Sequence, residues 1–160
     1  MTLIDPDAVE TINVLGPTIQ FITPPDGGGD APCVMRGTIP AGVVVPLHSH
    51  PDPETFFMLS GRVEALEYSP DGFAWLPIGP RDLFHVPGGV KHAWRNGGRD
   101  PAVMLITSTA RLGAFFREVA TPNGSWPPSV DALRDFLATA ERYGYWNATP
   151  AENAEVGLTL

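Results

Sequence analysis

The chain has 160 residues, 43% hydrophobic and 18% charged, which fits one globular domain with a real core and disfavours a disordered chain. The net charge of −8, with a single lysine, excludes the clustered basic residues that nucleic acid or an anionic membrane surface requires. The 17 glycines and 18 prolines are poorly tolerated inside helices, so they favour short strands joined by turns.

Signals for export or membrane insertion are not seen in the sequence. The N-terminal residues lack a basic segment followed by an apolar run, so no signal peptide is expected. No window approaches the ~20 apolar residues of a membrane span. Cys33, the only cysteine, rules out an intramolecular disulfide and suggests a reducing compartment. We therefore expect a cytoplasmic protein in which Cys33 is a buried strand residue.

Nine β-rich runs, divided by Gly, Pro and Asn turns, are predicted between residues 11 and 109. They are Thr18–Thr23, Cys33–Ile39, Val43–Ser49, Glu54–Leu59, Arg62–Tyr68, Phe73–Leu76, Asp82–Val86, Val90–Arg95 and Ala102–Thr109. Many short strands at this spacing favour a sandwich or barrel over βαβ units.

One helix is predicted after the strands. Ser129 is a suitable N-cap, Asp131 suits the first turn, and Gly144 is placed to end the helix. An apolar stripe that should pack on the barrel is formed by Val130, Leu133, Leu137 and Ala140. We therefore expect residues 111–160 to be a helical extension of a β-barrel domain at residues 1–110. It is not a separate domain, because one helix cannot bury its own apolar face.

Two segments carry residues suited to a metal ion. His48 and His50 lie two apart in a predicted strand, so both side chains can point inward, and Glu54 follows at an even offset. A turn after Pro87 would aim His92 inward from another strand. Imidazoles suit Fe, Ni, Cu and Zn, and a carboxylate adds a hard anionic donor. Four such ligands leave open positions on an octahedral ion, which is typical of a catalytic site.

These residues resemble the two motifs of the cupin superfamily. Every fixed position of the first motif is matched, by Gly42, His48, His50, Glu54 and Gly61. The end of the second motif is matched by Pro87, Gly89, His92 and Asn96. Arg81 stands where the second motif usually opens with Gly, although the following Asp is present as Asp82. This departure calls the local turn into question but not the metal site.

The resemblance covers about residues 33–110 and implies an all-β fold, an antiparallel jelly-roll barrel with the C-terminal helix outside it. It implies one divalent transition-metal ion, expected to be Fe, Mn or Ni, with Zn, Co or Cu as alternatives. The metal ligands are His48, His50, Glu54 and His92. A degenerate cupin that keeps these ligands without holding a metal is the alternative. The resemblance also implies a homodimer.

Counting in twos from the ligands predicts an apolar substrate pocket. Its residues are Phe56, Met58 and Trp94, joined from neighbouring strands by Phe84, Met104 and Ile106. Such a pocket suits an apolar or aromatic small molecule, and no inward cluster of Arg or Lys is evident to hold phosphates. Alternatively, each of these residues only packs in the hydrophobic core and contacts no substrate.

Two roles are open for Glu54. It either balances the charge of the metal or acts as a catalytic group that takes a proton from the substrate. For the second role, burial would raise the pKa of Glu54 toward neutrality.

The leading functional hypothesis is a mononuclear metal-dependent enzyme, a dioxygenase acting on an aromatic or diketone-like small molecule. A redox-neutral isomerase, cyclase, lyase or decarboxylase, with the metal as Lewis acid, would use the same residues. A non-catalytic small-molecule binder is the alternative from another class. Cupin sensors usually carry an attached DNA-binding domain, and the sequence has no helix-turn-helix pattern.

Overall fold

The computed structural model describes residues 3–5, 8–69, 72–121 and 126–159. The strands are β1 (Thr11–Asn13), β2 (Thr18–Phe21), β3 (Pro32–Ile39), β4 (Val44–Ser49), β5 (Glu54–Ser60), β6 (Val63–Ser69), β7 (Gly72–Ile78), β8 (Leu83–Val86), β9 (His92–Arg95), β10 (Ala102–Thr109) and β11 (Trp146–Asn147). The helices are α1 (Ala110–Glu118), α2 (Val130–Tyr143) and α3 (Pro150–Glu155), with one 3₁₀ turn at Pro25–Gly27.

The strands form two antiparallel sheets. The larger sheet has the order β1-β2-β3-β10-β5-β8, and the smaller has the order β11-β4-β9-β6-β7. Each of the nine predicted runs corresponds to a strand, with ends shifted by at most two residues. The prediction of an antiparallel β fold is therefore confirmed. The sequence did not predict β1, β11, α1 or α3.

The hydrophobic core lies between the two sheets. Along β3 the side chains alternate, and Cys33, Met35 and Ile39 are buried on the inner face, as period-two strand geometry requires. From the smaller sheet, Trp94 packs edge-on against Phe56 of the larger one, with ring centroids 4.6 Å apart. The predicted burial of Cys33 is confirmed.

Helix α2 begins and ends where the sequence predicts. The Ser129 hydroxyl accepts a hydrogen bond from the amide of Ala132. Gly144 ends the helix in the left-handed conformation, with φ 71°. No helix among the described residues is both long and apolar enough to cross a membrane.

The packing face predicted for α2 is wrong. Val130, Leu133 and Leu137 are 84%, 42% and 41% exposed, although Ala140 is buried. The helix instead turns Phe136 and Ala140 toward α1, where Phe136 meets the ring of Phe115 at 5.5 Å. Helix α1 supplies this aromatic surface, and the sequence did not predict α1.

The C-terminal segment covers the edge of the strand that carries His48. Strand β11 pairs with β4, which places Asn147 opposite His48. Behind it the fully buried Asn153 accepts a 2.9 Å hydrogen bond from the amide of Leu47 and donates to the carbonyls of Ala148 and Thr149. Strand β11 and helix α3 thus hold β4 in place through strand pairing and a buried hydrogen bond.

Candidate metal centre

The strand register brings the three predicted histidine ligands together. His48 in β4 and His92 in β9 are direct partners across the smaller sheet, and His50 follows β4. One ring nitrogen from each of the three lies within 4.8 Å of the corresponding atoms of the other two. The three imidazoles therefore converge on one point, as the motif spacing implied.

Glu54 joins this cluster from the larger sheet. It is the first residue of β5, and its Oε2 atom lies 3.3 Å from Nε2 of His50 and 3.3 Å from Nε2 of His92. His50, Glu54 and His92 are all buried. The four predicted ligands thus share one largely buried site that joins the two sheets.

Backbone carbonyls orient all three imidazoles. Nδ1 of His48 donates to the Pro46 carbonyl at 2.8 Å, and Nδ1 of His50 donates to the Asp52 carbonyl at 2.8 Å. Nδ1 of His92 donates to the Val90 carbonyl at 2.9 Å. Because a carbonyl oxygen only accepts hydrogen bonds, each Nδ1 carries a proton, which leaves Nε2 as the ring nitrogen that can bind a metal ion. Metal-binding histidines are held in this way.

The remaining histidine, His85, lies outside the cluster. It is exposed on β8, and its Nδ1 is 2.9 Å from the Thr55 hydroxyl. His85 is therefore a surface residue.

The electrostatic environment differs among the residues of the cluster. Burial, together with His92 and His50 nearby, holds the pKa of His48 well below its ordinary value. Burial also acts to lower the pKa of His50, but the Glu54 carboxylate outweighs it, so this pKa is raised. For Glu54, burial alone would raise the pKa; the imidazoles of His50 and His92, each 3.3 Å from its Oε2 atom, outweigh burial and hold the pKa well below its usual range. The expected upward shift for Glu54 is therefore wrong.

These residues fit a divalent transition metal. Nε2 of His92 is buried and has no hydrogen-bond partner with acceptable geometry in the described part of the chain. An unpartnered buried nitrogen is costly unless something binds it. Imidazole nitrogens beside one carboxylate are a donor set that accepts several ions of the Fe to Zn series, so the set does not select one of them.

The six predicted pocket residues belong to the hydrophobic core or pack against it. Phe56, Met58, Trp94, Met104 and Ile106 are buried, and Phe84 is half-buried. Trp94, two residues after His92, contacts both Phe56 and Phe84, with ring centroids 4.6 and 5.3 Å away. Their side chains point into the core, as the two-residue period of a β-strand predicted. Contact with a substrate stays a prediction.

The Gly-to-Arg departure in the second motif leaves the turn in place. Arg81 adopts φ 76°, a left-handed conformation that suits the missing glycine. The Asp82 carboxylate accepts a 2.8 Å hydrogen bond from the amide of Gly79, and the Asp82 amide donates back to the Gly79 carbonyl. The departure therefore costs backbone strain and does not displace the turn.

Sequence reasoning missed one buried carboxylate at the site. Asp52, between the two prolines that separate His50 from Glu54, is buried and contacts Tyr145 and Arg111. The sequence offered one local indication of this role, because Asp52 lies between two prolines and between the ligands His50 and Glu54. Its partners lie too far along the chain for any local pattern to indicate.

Comparisons with known proteins agree with this fold. A family model described as a cupin domain matches residues 35–108, while a search of curated proteins found no match. A cupin-superfamily sugar phosphate isomerase from Silicibacter pomeroyi is 21% identical with a TM-score of 0.55, over 68% of this chain and 75% of its own. The S161A mutant of Bacillus subtilis oxalate decarboxylase is 17% identical with a TM-score of 0.55, over 66% of this chain and 28% of its own.

A third structure has higher identity over a shorter region. The DMSP lyase DddQ from Ruegeria pomeroyi is 30% identical with a TM-score of 0.43, over 51% of this chain. The match spans only 39% of that lyase chain, so its activity is not carried over. The likeness to the isomerase and the decarboxylase shows the fold. Together with both motifs and the converging histidines, the matching family model identifies residues 35–108 as a cupin domain.

Proposed function

We propose that this protein is a mononuclear metal-dependent enzyme, a dioxygenase acting on an apolar aromatic or diketone-like small molecule. The observation that carries the proposal is the convergence of three imidazole nitrogens within 4.8 Å beside the buried carboxylate of Glu54. A divalent ion bound there, with Fe, Mn or Ni expected and Zn, Co or Cu as alternatives, would polarise a substrate oxygen and, if redox-active, support reaction with O₂.

The protein residues have separate roles in this proposal. His48, His50 and His92 bind through Nε2, because their Nδ1 protons are engaged by backbone carbonyls. Glu54 is the only carboxylate of the four, so it is the ligand able to take a proton from the substrate while the imidazoles stay bound, although its lowered pKa makes it a weaker base than the sequence predicted. Accepting that proton on a carboxylate oxygen makes Glu54 the proposed catalytic residue.

The neighbouring core supports the choice of substrate class. Trp94, Phe56 and Phe84 form a contiguous aromatic cluster that begins two residues from His92. An apolar wall beside a metal favours an aromatic or diketone-like molecule that presents one or two oxygens to the ion. The same wall keeps water away from the reacting atoms.

Metal analysis of the purified protein is the first test. Reconstitution with Fe, Mn, Ni, Co, Cu and Zn in turn should give one ion per chain for at least one metal. The double variant His48→Ala/His92→Ala should lose all metal. His85→Ala, which changes the exposed histidine, should bind as the wild type does. Metal retained by the double variant would overturn the assignment of the site.

Oxygen uptake separates the possible reactions. A dioxygenase should consume O₂ together with an aromatic or diketone substrate and stop under anaerobic conditions. Turnover that continues without O₂ would replace this proposal with a redox-neutral isomerase, cyclase, lyase or decarboxylase on the same residues. Ligand binding without turnover, retained in Glu54→Ala, would indicate a non-catalytic binder.

The proposed assembly is a homodimer. The outer face of the larger sheet exposes Phe57 and Leu83, which are cross-strand partners on β5 and β8, together with Leu59. Contact with a second copy would cover this apolar stripe. Sedimentation equilibrium of the full chain measures the assembly, and a monomer at all concentrations would contradict it.

A further inference from the structure

Asp52 is a buried carboxylate with partners from distant parts of the chain. Only 4% of the residue is exposed. Its Oδ2 atom accepts hydrogen bonds from the Tyr145 hydroxyl at 2.6 Å and from Nη1 of Arg111 at 3.2 Å, and its Oδ1 atom accepts from the Thr109 hydroxyl. A buried carboxylate is costly unless it is hydrogen-bonded in this way. The network therefore fixes where Asp52 lies.

The same residue orients a metal ligand through its backbone. The carbonyl of Asp52 accepts the Nδ1 proton of His50 at 2.8 Å. Pro51 and Pro53 flank Asp52, and each proline ring locks its own φ angle, so the short loop has little freedom. A change in the position of the Asp52 carboxylate is consequently transmitted to its carbonyl and to the imidazole of His50.

Tyr145 is the most direct contact between the C-terminal extension and this loop. It is buried, and its ring lies 5.3 Å from the ring of His50, centroid to centroid. The guanidinium of Arg111 lies 5.1 Å from the centroid of the Tyr145 ring, and Arg111 also donates to the Tyr143 carbonyl. The two side chains thus reach Asp52 as one packed unit.

We propose that Tyr145, supported by Arg111, is a positioning residue for the metal centre. It holds the Asp52 carboxylate and thereby aims Nε2 of His50 at the point where the other imidazoles converge. Helix α1 and the residue before β11 are in this way part of the metal site, although they supply no ligand. The inference rests on the proposed metal binding and assigns the extension a role within it.

A Co²⁺ titration of the full-length, metal-free protein, followed by visible absorption, tests the positioning role. Tyr145→Phe removes only the hydroxyl that bonds Asp52, and it should weaken Co²⁺ binding roughly 10-fold and alter the visible band. Tyr143→Phe is the matched control, because that hydroxyl bonds the exposed Glu118 at 3.0 Å. The control should leave both the affinity and the band unchanged.

Circular dichroism of each variant at the titration temperature separates positioning from folding. Both variants should be fully folded there, so a weaker affinity cannot come from an unfolded fraction. Arg111→Met removes the second hydrogen bond to Oδ2 of Asp52, and it should weaken Co²⁺ binding in the same direction. Combined with Tyr145→Phe, it should weaken binding by less than the product of the two separate effects, since both act through one carboxylate.

Ring ¹⁵N spectra of the metal-free protein provide a second readout. Tyr145→Phe should shift the His50 signals more than those of His48 and His92. Wild-type affinity and an unchanged His50 spectrum in Tyr145→Phe would overturn the positioning role and leave the metal-binding proposal standing. Failure of the wild-type protein to bind Co²⁺ or any other ion would overturn the proposed function and this inference with it.

Discussion

Gly88 lies directly against the backbone of Pro51, so close that a Cβ atom on Gly88 would be 2.1 Å from the Pro51 carbonyl oxygen. Beside this contact, the amide of Gly89 donates a 2.7 Å hydrogen bond to the carbonyl of His50. The turn that leads to His92 is therefore packed on the loop that follows His50. Two segments that carry metal ligands are held together by a contact for which only glycine has room.

Gly88→Ala should destabilise the protein by about 1–3 kcal/mol and weaken metal binding, because backbone must move to admit the methyl group. Urea unfolding and a metal titration measure the two effects. Gly97→Ala is the control, since a Cβ there meets no atom within 4 Å. The control should change stability by less than about 0.5 kcal/mol. Equal effects of the two substitutions would contradict the contact.

Arg81→Gly should stabilise the protein by about 0.5–1 kcal/mol. A left-handed conformation costs a non-glycine residue about 1–2 kcal/mol, partly offset by the greater freedom of glycine in the unfolded chain. Thermal unfolding measures the difference. Arg99→Gly, at an exposed bend without a positive φ, should instead be neutral or destabilising. A loss of stability in Arg81→Gly would show that its side chain matters more than its backbone.

Asn153→Ala should lower the free energy of unfolding by about 2–3 kcal/mol. It leaves the amide of Leu47 and the carbonyls of Ala148 and Thr149 without the partner that Asn153 provides in a buried place. Urea unfolding provides the measurement. Glu155→Ala, an exposed change on the same helix, should alter stability little.

Metal should stabilise the folded protein measurably. At a free metal concentration roughly 100 times Kd, the free energy of unfolding should rise by about 2.7 kcal/mol, because the ion binds only the assembled site. A chelator should reverse the shift in thermal unfolding. The double variant His48→Ala/His92→Ala should show no shift, and a shift in that variant would mean that the ion binds elsewhere.

Stability should also depend weakly on acid pH through Glu64. Its 2.7 Å hydrogen bond from Arg95, on the neighbouring strand, lowers the pKa of Glu64. A lowered pKa contributes stability above the unfolded pKa, and that contribution is lost as the pH falls through the folded pKa. Glu64→Gln should therefore be less stable at neutral pH by about 0.5 kcal/mol, a small value because the pair is partly exposed. The difference should vanish in acid.

The sequence predicted those parts of the fold that depend on neighbouring residues. Period-two alternation and turn residues located nine strands, and the capping signals at Ser129 and Gly144 located α2. The spacing of His48, His50, Glu54 and His92 predicted a shared site, because residues two apart in a strand point to one face. Each of these inferences needs only local geometry or a motif of known spacing.

Two features depended on which elements meet in space. Helix α2 buries the face that packs against Phe115 of α1, whereas most of the apolar stripe that the sequence predicted to be buried is exposed. The pKa of Glu54 falls because two imidazoles lie 3.3 Å from its Oε2 atom, where burial alone would have raised it. Neither outcome follows from the residue and its sequence neighbours.

The sequence by itself thus determined the antiparallel strands, the four candidate ligands and the turns that introduce them. Only the tertiary structure decided what holds those ligands in place. Gly88 meets Pro51 across two separate loops, and Tyr145 reaches Asp52 from 93 residues away. Strand order, register and the path of the C-terminal segment determine such contacts. They cannot be predicted from the local periodicity of the chain.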